Sequence, residues 1–577
     1  MTDRIVAYQL ADFLRDLGVE VVFGLCGHTN IAFLDALEQS KIRFITARHE
    51  QVAAHMADGY ARVTRKPSVL LTHLGPGLTN AATGVANAAL DSIPMVVIAG
   101  DVPAHYFGRH PHQEVNLHLD ADQYEIYRPF CKRIWRVERP AELPRVIERA
   151  FHTAQSGRPG TVLVDVPMDV FSADLPEGSF TRKPPLGVGK PVLDEQTAAA
   201  IARELVQATR PVIHVGGGVL LAQASSELSA LAEWLDIPVT HTLMGKGALP
   251  DTHPLNAGMT GFWGVPVAND LTRTADLILG AGTRFAEADS SSWDERFTFA
   301  IPPTRLIHID IDPAELGRNF PTEIAAVSDI KFALVRILAA VKELVPQPRH
   351  TPGLRERIRE GRSQFSSQWA ERRISEQYPL KPDRILADVR KALPEDGLIV
   401  TDVGWNKNGV GQQFPISVPG TFITPGGLAT MGFGPAAALG VKLAAPDRKV
   451  VALVGDGAFS SNMSVMATAA EAGIPVTWVV MDNMAFGTIA LLEKHHYDTF
   501  YGTVFKRNGQ PYAVEYAKIA QACGINGIKI EEAAQLLPAL TQAIASDEPC
   551  LIHVPMENVP TPTPGHWNIN DIYRKGS

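Results

Sequence analysis

Short runs of apolar, mostly β-branched residues, each followed by a helical pattern, recur along most of the chain; residues 69–71, 95–99, 161–166, 211–215, 277–279 and 306–309 are six of them. A continuous apolar run buries both faces of a strand, as parallel sheets covered by crossover helices require. The fold class is therefore α/β, built from doubly wound parallel sheets. A chain of 577 residues exceeds one such unit, because domains cluster near about 150 residues. Two stretches break the rhythm: 172–190, rich in Pro, Gly and Lys, and 341–382, rich in Arg, Gln and Pro. Read as linkers, they leave an N-terminal domain over 1–175, a middle domain over 190–345 and a C-terminal domain over 380–560, with a tail at 561–577.

The outer two segments echo one another. Ile93-Pro94-Met95 recurs as Ile474-Pro475-Val476, and Val166-Pro167-Met168 as Val554-Pro555-Met556, in the same order and at nearly the same spacing. Two related domains separated by an inserted one give this pattern. The balance of 53 Lys and Arg against 62 Asp and Glu, net -9, supplies no basic field for nucleic acid or acidic lipid. Four scattered cysteines, Cys26, Cys131, Cys523 and Cys550, contain no C-x-x-C pair. That argues against a disulfide framework or structural zinc and for a reducing cytoplasm. Residues 1–20 read as an amphipathic helix and not a signal peptide. No apolar run reaches the roughly 18 residues of a membrane span. A small-molecule substrate is the expected partner.

The chemistry concentrates where the apolar run 450–454 enters Gly455-Asp456-Gly457 and where Asn483 follows a second run at 476–481. Both polar side chains then leave the carboxyl ends of parallel strands, where open α/β sheets bind ligands. A carboxylate, an amide carbonyl and a backbone carbonyl suit a small hard cation that also takes phosphate oxygens, namely Mg²⁺. The glycines admit a diphosphate, with the following helix N-terminus adding amide donors.

Gly455-Asp456-Gly457 with Asn483 at this distance resembles the signature of the thiamine diphosphate enzyme superfamily. The likeness extends over nearly the whole chain, and its branches nearest in pattern are acetolactate synthase, benzoylformate decarboxylase and 2-hydroxyacyl-CoA lyase. The resemblance implies metal ligands at Asp456, Asn483 and the carbonyl of Ala485. It implies diphosphate and cofactor contacts at Gly404, Trp405, Asn406, Gly455, Gly457, Ala458 and Phe486. The segment 427–434 resembles the one that bends the cofactor, with the Ala429 carbonyl accepting from its amino group and Met431 wedged between its rings. Thr46-Ala47-Arg48-His49-Glu50-Gln51 resembles the catalytic glutamate motif, in which Glu50 bonds the aminopyrimidine and promotes removal of the C2 proton. Because the family pairs these two halves across subunits, the resemblance implies a homodimer or homotetramer with active sites between chains.

The pocket positions separate the branches. His28 and His73 stand on two loops that the family aims at the cofactor; synthases have small residues there, and benzoylformate decarboxylase has a His at the position of His73. Gln113 and Tyr127 bracket a wall about six residues longer than in synthases. Leu492 stands where synthases have Trp, and Glu493 matches a glutamate of some 2-hydroxyacyl-CoA lyases that could exchange a proton with the substrate hydroxyl. These departures make 2-hydroxyacyl-CoA lyase the leading expectation, with a CoA thioester as substrate. Acetolactate synthase-like carboligation is the alternative, and benzoylformate-type decarboxylation or cyclic diketone hydrolysis are further rivals. Strand-end glycines at 216–218 and 280–282 of the middle domain would admit FAD or the ADP portion of CoA. The aromatic tail, 560–573, could serve as a lid.

Overall fold

The computed structural model describes residues 3–116, 122–180 and 189–567. Three six-stranded, all-parallel sheets form three α/β units. The N-terminal sheet comprises β1 (Val21–Gly24), β2 (Arg43–Thr46), β3 (Ser68–His73), β4 (Met95–Asp101), β5 (Arg133–Arg136) and β6 (Thr161–Pro167) in the order 2-1-3-4-6-5. The middle sheet comprises β7 (Pro211–Val215), β8 (Val239–His241), β9 (Asn256–Met259), β10 (Leu277–Ala281), β11 (Arg305–Asp310) and β12 (Ile324–Val327) in the order 9-8-7-10-11-12. The C-terminal sheet comprises β13 (Leu398–Thr401), β14 (Phe422–Ile423), β15 (Val450–Gly455), β16 (Thr477–Asp482), β17 (Asn526–Lys529) and β18 (Cys550–Pro555) in the order 14-13-15-16-18-17.

Counted from its own first strand, the C-terminal order is 2-1-3-4-6-5 as well. The sequence echoes fall on equivalent places, at the entry to the fourth strand of each outer sheet (Met95 and Thr477) and at the exit of the sixth (Pro167 and Pro555). The middle domain has a different order. All six apolar runs singled out in the sequence lie within strands.

Helices relevant to function are α1 (Glu50–Thr64), α2 (Leu74–Leu90), α3 (Trp405–Gln413), α4 (Phe433–Ala444), α5 (Asp456–Ser461) and α6 (Gly487–Tyr497). One face of each outer sheet drains into a single shared core: Leu70, Val97 and Leu163 from the N-terminal domain and Val400, Ala452 and Val480 from the C-terminal domain belong to one buried cluster. Helices α1 and α4 join the two halves of it at backbone distance. A Cβ on Gly59 would lie 2.3 Å from the Ala437 carbonyl oxygen, and one on Gly440 would lie 1.8 Å from that of Met56. Neither approach tolerates a side chain.

The stretch 341–382, read as a linker, carries a helix over Leu354–Ser367 that docks on the middle domain. Ile358 is its one buried residue, packed into the cluster of Val265, Val267 and Leu271. Arg362 donates to the Asn256 carbonyl at 3.0 Å. Only Leu354 and Phe365 join Ile358, half-buried against the same cluster, and three apolar residues among fourteen leave a weak periodic signal. Of the other stretch, 181–188 lies outside the described residues.

Burial leaves three histidines neutral. Desolvation lowers His55 and His214 to about 3 and His241 to about 4, from 6.5. The unfolded chain then binds more protons than the folded one between about pH 6.5 and 3, so stability is fully present above that window and is lost as pH falls through it. Neither ring nitrogen of His55 has a hydrogen-bond partner, so replacing it removes the proton uptake without orphaning a neighbour. His55→Leu should melt close to wild type at pH 7.5 and above it at pH 5. Thermal denaturation at the two pH values checks this, and parallel losses in both proteins would refute it.

Candidate active site

Asp456 follows β15 and opens α5, and Asn483 follows β16; Gly455 pairs with Met481 across these adjacent strands, so both side chains emerge at one sheet edge. The Asp456 carboxyl is 2% exposed and its Oδ2 has no hydrogen-bond partner. Burial, with Asp482 beside it, pushes it up to about 8. Asp482 is itself satisfied: His553 Nε2 meets its Oδ2 at 2.7 Å, and the Met484 N–H donates to its Oδ1 at 3.0 Å. Met484 sits at φ 55°, turning the chain into Ala485. Asn483 donates its Nδ2 to Asn558 Oδ1 at 3.2 Å, which leaves the amide oxygen as its free end. A side chain at Gly487 would strike that amide at 2.3 Å.

A buried, unpartnered carboxylate is costly, and a small dication shared with the Asn483 oxygen and the Ala485 carbonyl would supply its missing partner. The residues fit such an ion. Among the described residues no three His, Cys, Asp or Glu side chains converge for a metal. The set here is of another kind, one carboxylate with two neutral oxygens.

Two helix N-termini adjoin this edge. Gly404, at φ 118°, opens α3 beside the end of β13, and Gly455 opens α5 beside the end of β15. Asn406 is fixed by a 2.7 Å bond from Nδ2 to the Leu453 carbonyl, and the buried Trp405 Nε1 has no partner. A Cβ on Gly455 would meet nothing within 4 Å, whereas one on Gly457 would press the Phe486 ring at 2.7 Å. Open space above Gly455, with amide donors converging on it, suits a diphosphate. Ala458 is buried beneath it. The segment expected to bend the cofactor has Ala429 at φ 53° and leaves Leu428 and Met431 41% and 42% exposed.

In the N-terminal domain Glu50 is the first residue of α1, capped by His49 Nδ1, which accepts from the Gln51 N–H at 3.2 Å. Its carboxylate is 5% exposed and accepts from Asn80 Nδ2 at 3.0 Å. His73 ends β3. Its Nδ1 lies 2.8 Å from Thr29 Oγ1 and its Nε2 3.2 Å from Gln113 Oε1. An imidazole protonated on Nε2 satisfies both contacts. Burial lowers its pKa. His28 stands edge-on to His73 with ring centroids 4.7 Å apart, and His112 lies 6.4 Å from His28. Only glycine fits at position 27, where a Cβ would fall 2.0 Å from the His73 ring.

Two expected pocket residues are placed differently. Tyr127 does not line open space: it is wholly buried, and its hydroxyl donates to the Leu78 carbonyl at 2.7 Å. Glu493, on α6 next to the half-buried Leu492, has both oxygens engaged by its own chain. They accept from the Tyr501 N–H at 2.9 and 3.0 Å and from the Thr503 hydroxyl at 2.7 Å. Acid–base work there requires those bonds to open. The wall residues 117–121 lie outside the described residues, as does the tail from 568. The tail's described part docks on the middle domain and on α3 of the C-terminal one. Gln412 Nε2 donates to the Pro562 carbonyl at 2.8 Å, the Gly565 N–H to that of Phe262 at 3.1 Å, and His566 stacks on Phe297 at 4.4 Å.

The strand-end glycines of the middle domain open on a cavity of about 950 Å³, lined by Gly216, Gly282, Arg284 and Asp310 together with Arg62 and Arg158 from the N-terminal domain. None of the cofactor residues above lines it. Sequence reasoning passed over Asn80, Thr29 and His112. Asn80 lies seven residues after His73 in sequence, but its role depends on a contact with Glu50, 30 residues away.

Comparison with known proteins agrees with this geometry. Three family models match in order: the N-terminal TPP binding domain of thiamine pyrophosphate (thiamine diphosphate) enzymes over residues 4–125, the central domain over 198–338 and the C-terminal TPP binding domain over 402–554. A probable acetolactate synthase large subunit of Methanocaldococcus jannaschii is 36% identical, covering 95% of this chain and 92% of that one. The acetolactate synthase large subunit of Parasynechococcus marenigrum is 35% identical, covering 95% and 87%. Acetolactate synthase isozyme 1 large subunit of Escherichia coli is 35% identical, covering 94% and 92%. These names agree with the acetolactate synthase alternative, not with the 2-hydroxyacyl-CoA lyase expectation. With matching family domains from end to end, and with the acidic, amide and glycine positions gathered at one sheet edge, the chain belongs to the thiamine pyrophosphate enzyme family and is an enzyme of carbon–carbon bond chemistry.

Proposed function

We propose that the protein is a decarboxylating carboligase of the acetolactate synthase type, acting on a 2-oxoacid with thiamine diphosphate and Mg²⁺. The observation that carries the choice of substrate class is the 35–36% identity to acetolactate synthase subunits over nearly the whole chain. When bound, the cofactor supplies an electron sink for a carbanion next to a carbonyl. Asp456, Asn483 and the Ala485 carbonyl would hold Mg²⁺. Gly404 to Asn406, Gly455, Gly457 and Ala458 would receive the diphosphate, with Phe486 packed beside Gly457. Ala429 and Met431 would orient the rings. Glu50 would hold a proton at the aminopyrimidine, and His28, His73 and Gln113 would offer donors and acceptors to the substrate carbonyl.

The apolar surface around these residues, Leu428, Met431, Phe486 and Ile489, supports completion of the site by a second copy of the chain, as a homodimer or homotetramer. All four cysteines are free, three of them buried or partly buried, in keeping with a reducing cytoplasm. The middle-domain cavity has room for a nucleotide portion, FAD or ADP.

A second reading, 2-hydroxyacyl-CoA lysis to an aldehyde or ketone and formyl-CoA, is favoured by Leu492, where synthases have Trp, and by that cavity. Supplying pyruvate, benzoylformate and 2-hydroxyisobutyryl-CoA separately, and identifying products by mass spectrometry, separates the readings. Acetolactate from pyruvate is expected. Formyl-CoA with acetone, and no acetolactate, would replace the first reading by the second.

A further inference from the structure

The span that carries Ala429 and Met431 is tied at both ends and open in the middle. At its downstream end Asp402, from the same domain, accepts N–H bonds from Gly432 at 3.0 Å and Gly434 at 2.7 Å, and Asn462 Nδ2 donates to the Gly432 carbonyl at 2.8 Å. At its upstream end the partner comes from the other half of the molecule. Asp91, the residue after α2 in the N-terminal domain, accepts from the Gly426 N–H at 2.9 Å and the Gly427 N–H at 2.5 Å.

The Asp91 side chain is completely buried, and Arg62 meets it at 2.7 Å. Arg62 also pairs with Asp58 at 2.7 Å, donates to the Thr424 carbonyl at 2.9 Å and lies 4.8 Å from the centroid of the Phe433 ring. Lys407 Nζ reaches the Pro425 carbonyl at 3.5 Å. Residues 424–427 are thus held by cationic donors on their carbonyls and by one carboxylate on their amides. The two glycines have no slack: a Cβ on Gly427 would lie 2.8 Å from Leu90, and one on Gly426 would lie 2.4 Å from the Met244 sulfur.

We propose that Asp91 is a positioning residue for the cofactor-facing span 428–431, clamping from the N-terminal domain the turn that Asp402 clamps from the C-terminal one. The proposal rests on the thiamine diphosphate reading of that span. Four residues between two carboxylate clamps have few ways to settle, so the Ala429 carbonyl and the Met431 side chain are set before anything binds. Removing the Asp91 carboxylate leaves the Gly426 and Gly427 N–H groups without their acceptor and Arg62 with one counter-charge fewer. The span then drifts, and binding must order it again.

The test uses full-length Asp91→Ala and Asp91→Asn beside a comparator, Asp251→Ala. Asp251 is also a buried anion: it pairs with Lys246 at 2.8 Å and accepts from the Ile416 N–H at 2.8 Å, joining the middle domain to the C-terminal one away from the span. Thiamine diphosphate affinity is read by quenching of intrinsic fluorescence at fixed Mg²⁺, the geometry of the bound cofactor by near-ultraviolet circular dichroism, and stability by melting of the apoprotein. Both alanine variants should melt earlier. Only Asp91→Ala should bind the cofactor about 10–100-fold more weakly, the range seen for outer-shell partners of bound groups, with an altered dichroic band. Asp91→Asn, whose oxygen still accepts one N–H, should fall between. Affinity within threefold of wild type for Asp91→Ala, or an equal loss in Asp251→Ala, overturns the proposal. If the alanine variant does not fold, Asp91→Asn decides at the same threefold threshold. A wild-type protein that bound no thiamine diphosphate would overturn the reading beneath it as well.

Discussion

Glu50→Gln should slow exchange of the cofactor's C2 proton with solvent by about 10²–10⁴-fold, the usual worth of a positioned acid–base group, while cofactor affinity stays within about threefold. The substitution is nearly isosteric. Glu50 opens α1, where the helix N-terminus favours an anion, and its Oε2 accepts from Asn80 Nδ2. A glutamine oxygen can accept the same bond, so packing around this 5% exposed side chain is kept. What disappears is a carboxylate able to hold a proton on demand. Quenched exchange in D₂O followed by proton NMR measures the rate directly, without any assumption about substrate. Exchange unchanged within threefold would remove Glu50 from the chemistry. Asn80→Ala, which frees the carboxylate without abolishing it, should cost about tenfold or less on the same scale.

Asp456→Asn should split stability from binding. The wild-type carboxyl is buried with an unpartnered Oδ2 and has Asp482 as neighbour, so folding must either protonate it or hold it charged beside a like charge, a cost that the neutral amide avoids. The apoprotein is therefore expected to melt at the same temperature or higher. Under the proposed reading the same change removes the one anionic ligand for Mg²⁺, and cofactor binding in its presence should weaken by at least about 100-fold, or some 2.7 kcal/mol. Melting with and without thiamine diphosphate and Mg²⁺ reports both effects at once, because a ligand raises the midpoint only as far as it prefers the folded state. A variant that kept the wild-type ligand-induced shift would show that Asp456 is not a metal ligand.

Much of this fold was legible because buried parallel strands write themselves as uninterrupted apolar runs. Strand order was not, since 2-1-3-4-6-5 and 3-2-1-4-5-6 arise from the same alternation of elements and differ only in which crossover turns back. The echo at 93 and 474 nonetheless marked the two sheets that share an order. Local signals singled out Glu50, Asp456 and Asn483 as candidates, and all three sit at element boundaries with glycines or a helix cap beside them. Contacts set by tertiary packing left no trace: Asn80 on Glu50, Asp91 on Gly427, and the burial of Tyr127 under Leu78 all join residues with no common motif. Glu493 shows the converse, a residue type suited to chemistry whose oxygens are engaged by the loop that follows it. The helix at Leu354–Ser367 was lost among arginines because only Ile358 is fully buried, with Leu354 and Phe365 packed half-buried beside it.

The crossing of α1 and α4 at Gly59 and Gly440 bears on how such chains could be recombined. A hybrid that took its first domain from one relative and its last from another would bring together two helix surfaces that must both be bare at the point of crossing. A single methyl group on either would force the shared core apart, however well each domain folded alone. The outer domains are therefore interchangeable only as a matched pair, whereas the middle one, with a core of its own, is the part that an engineer could exchange first.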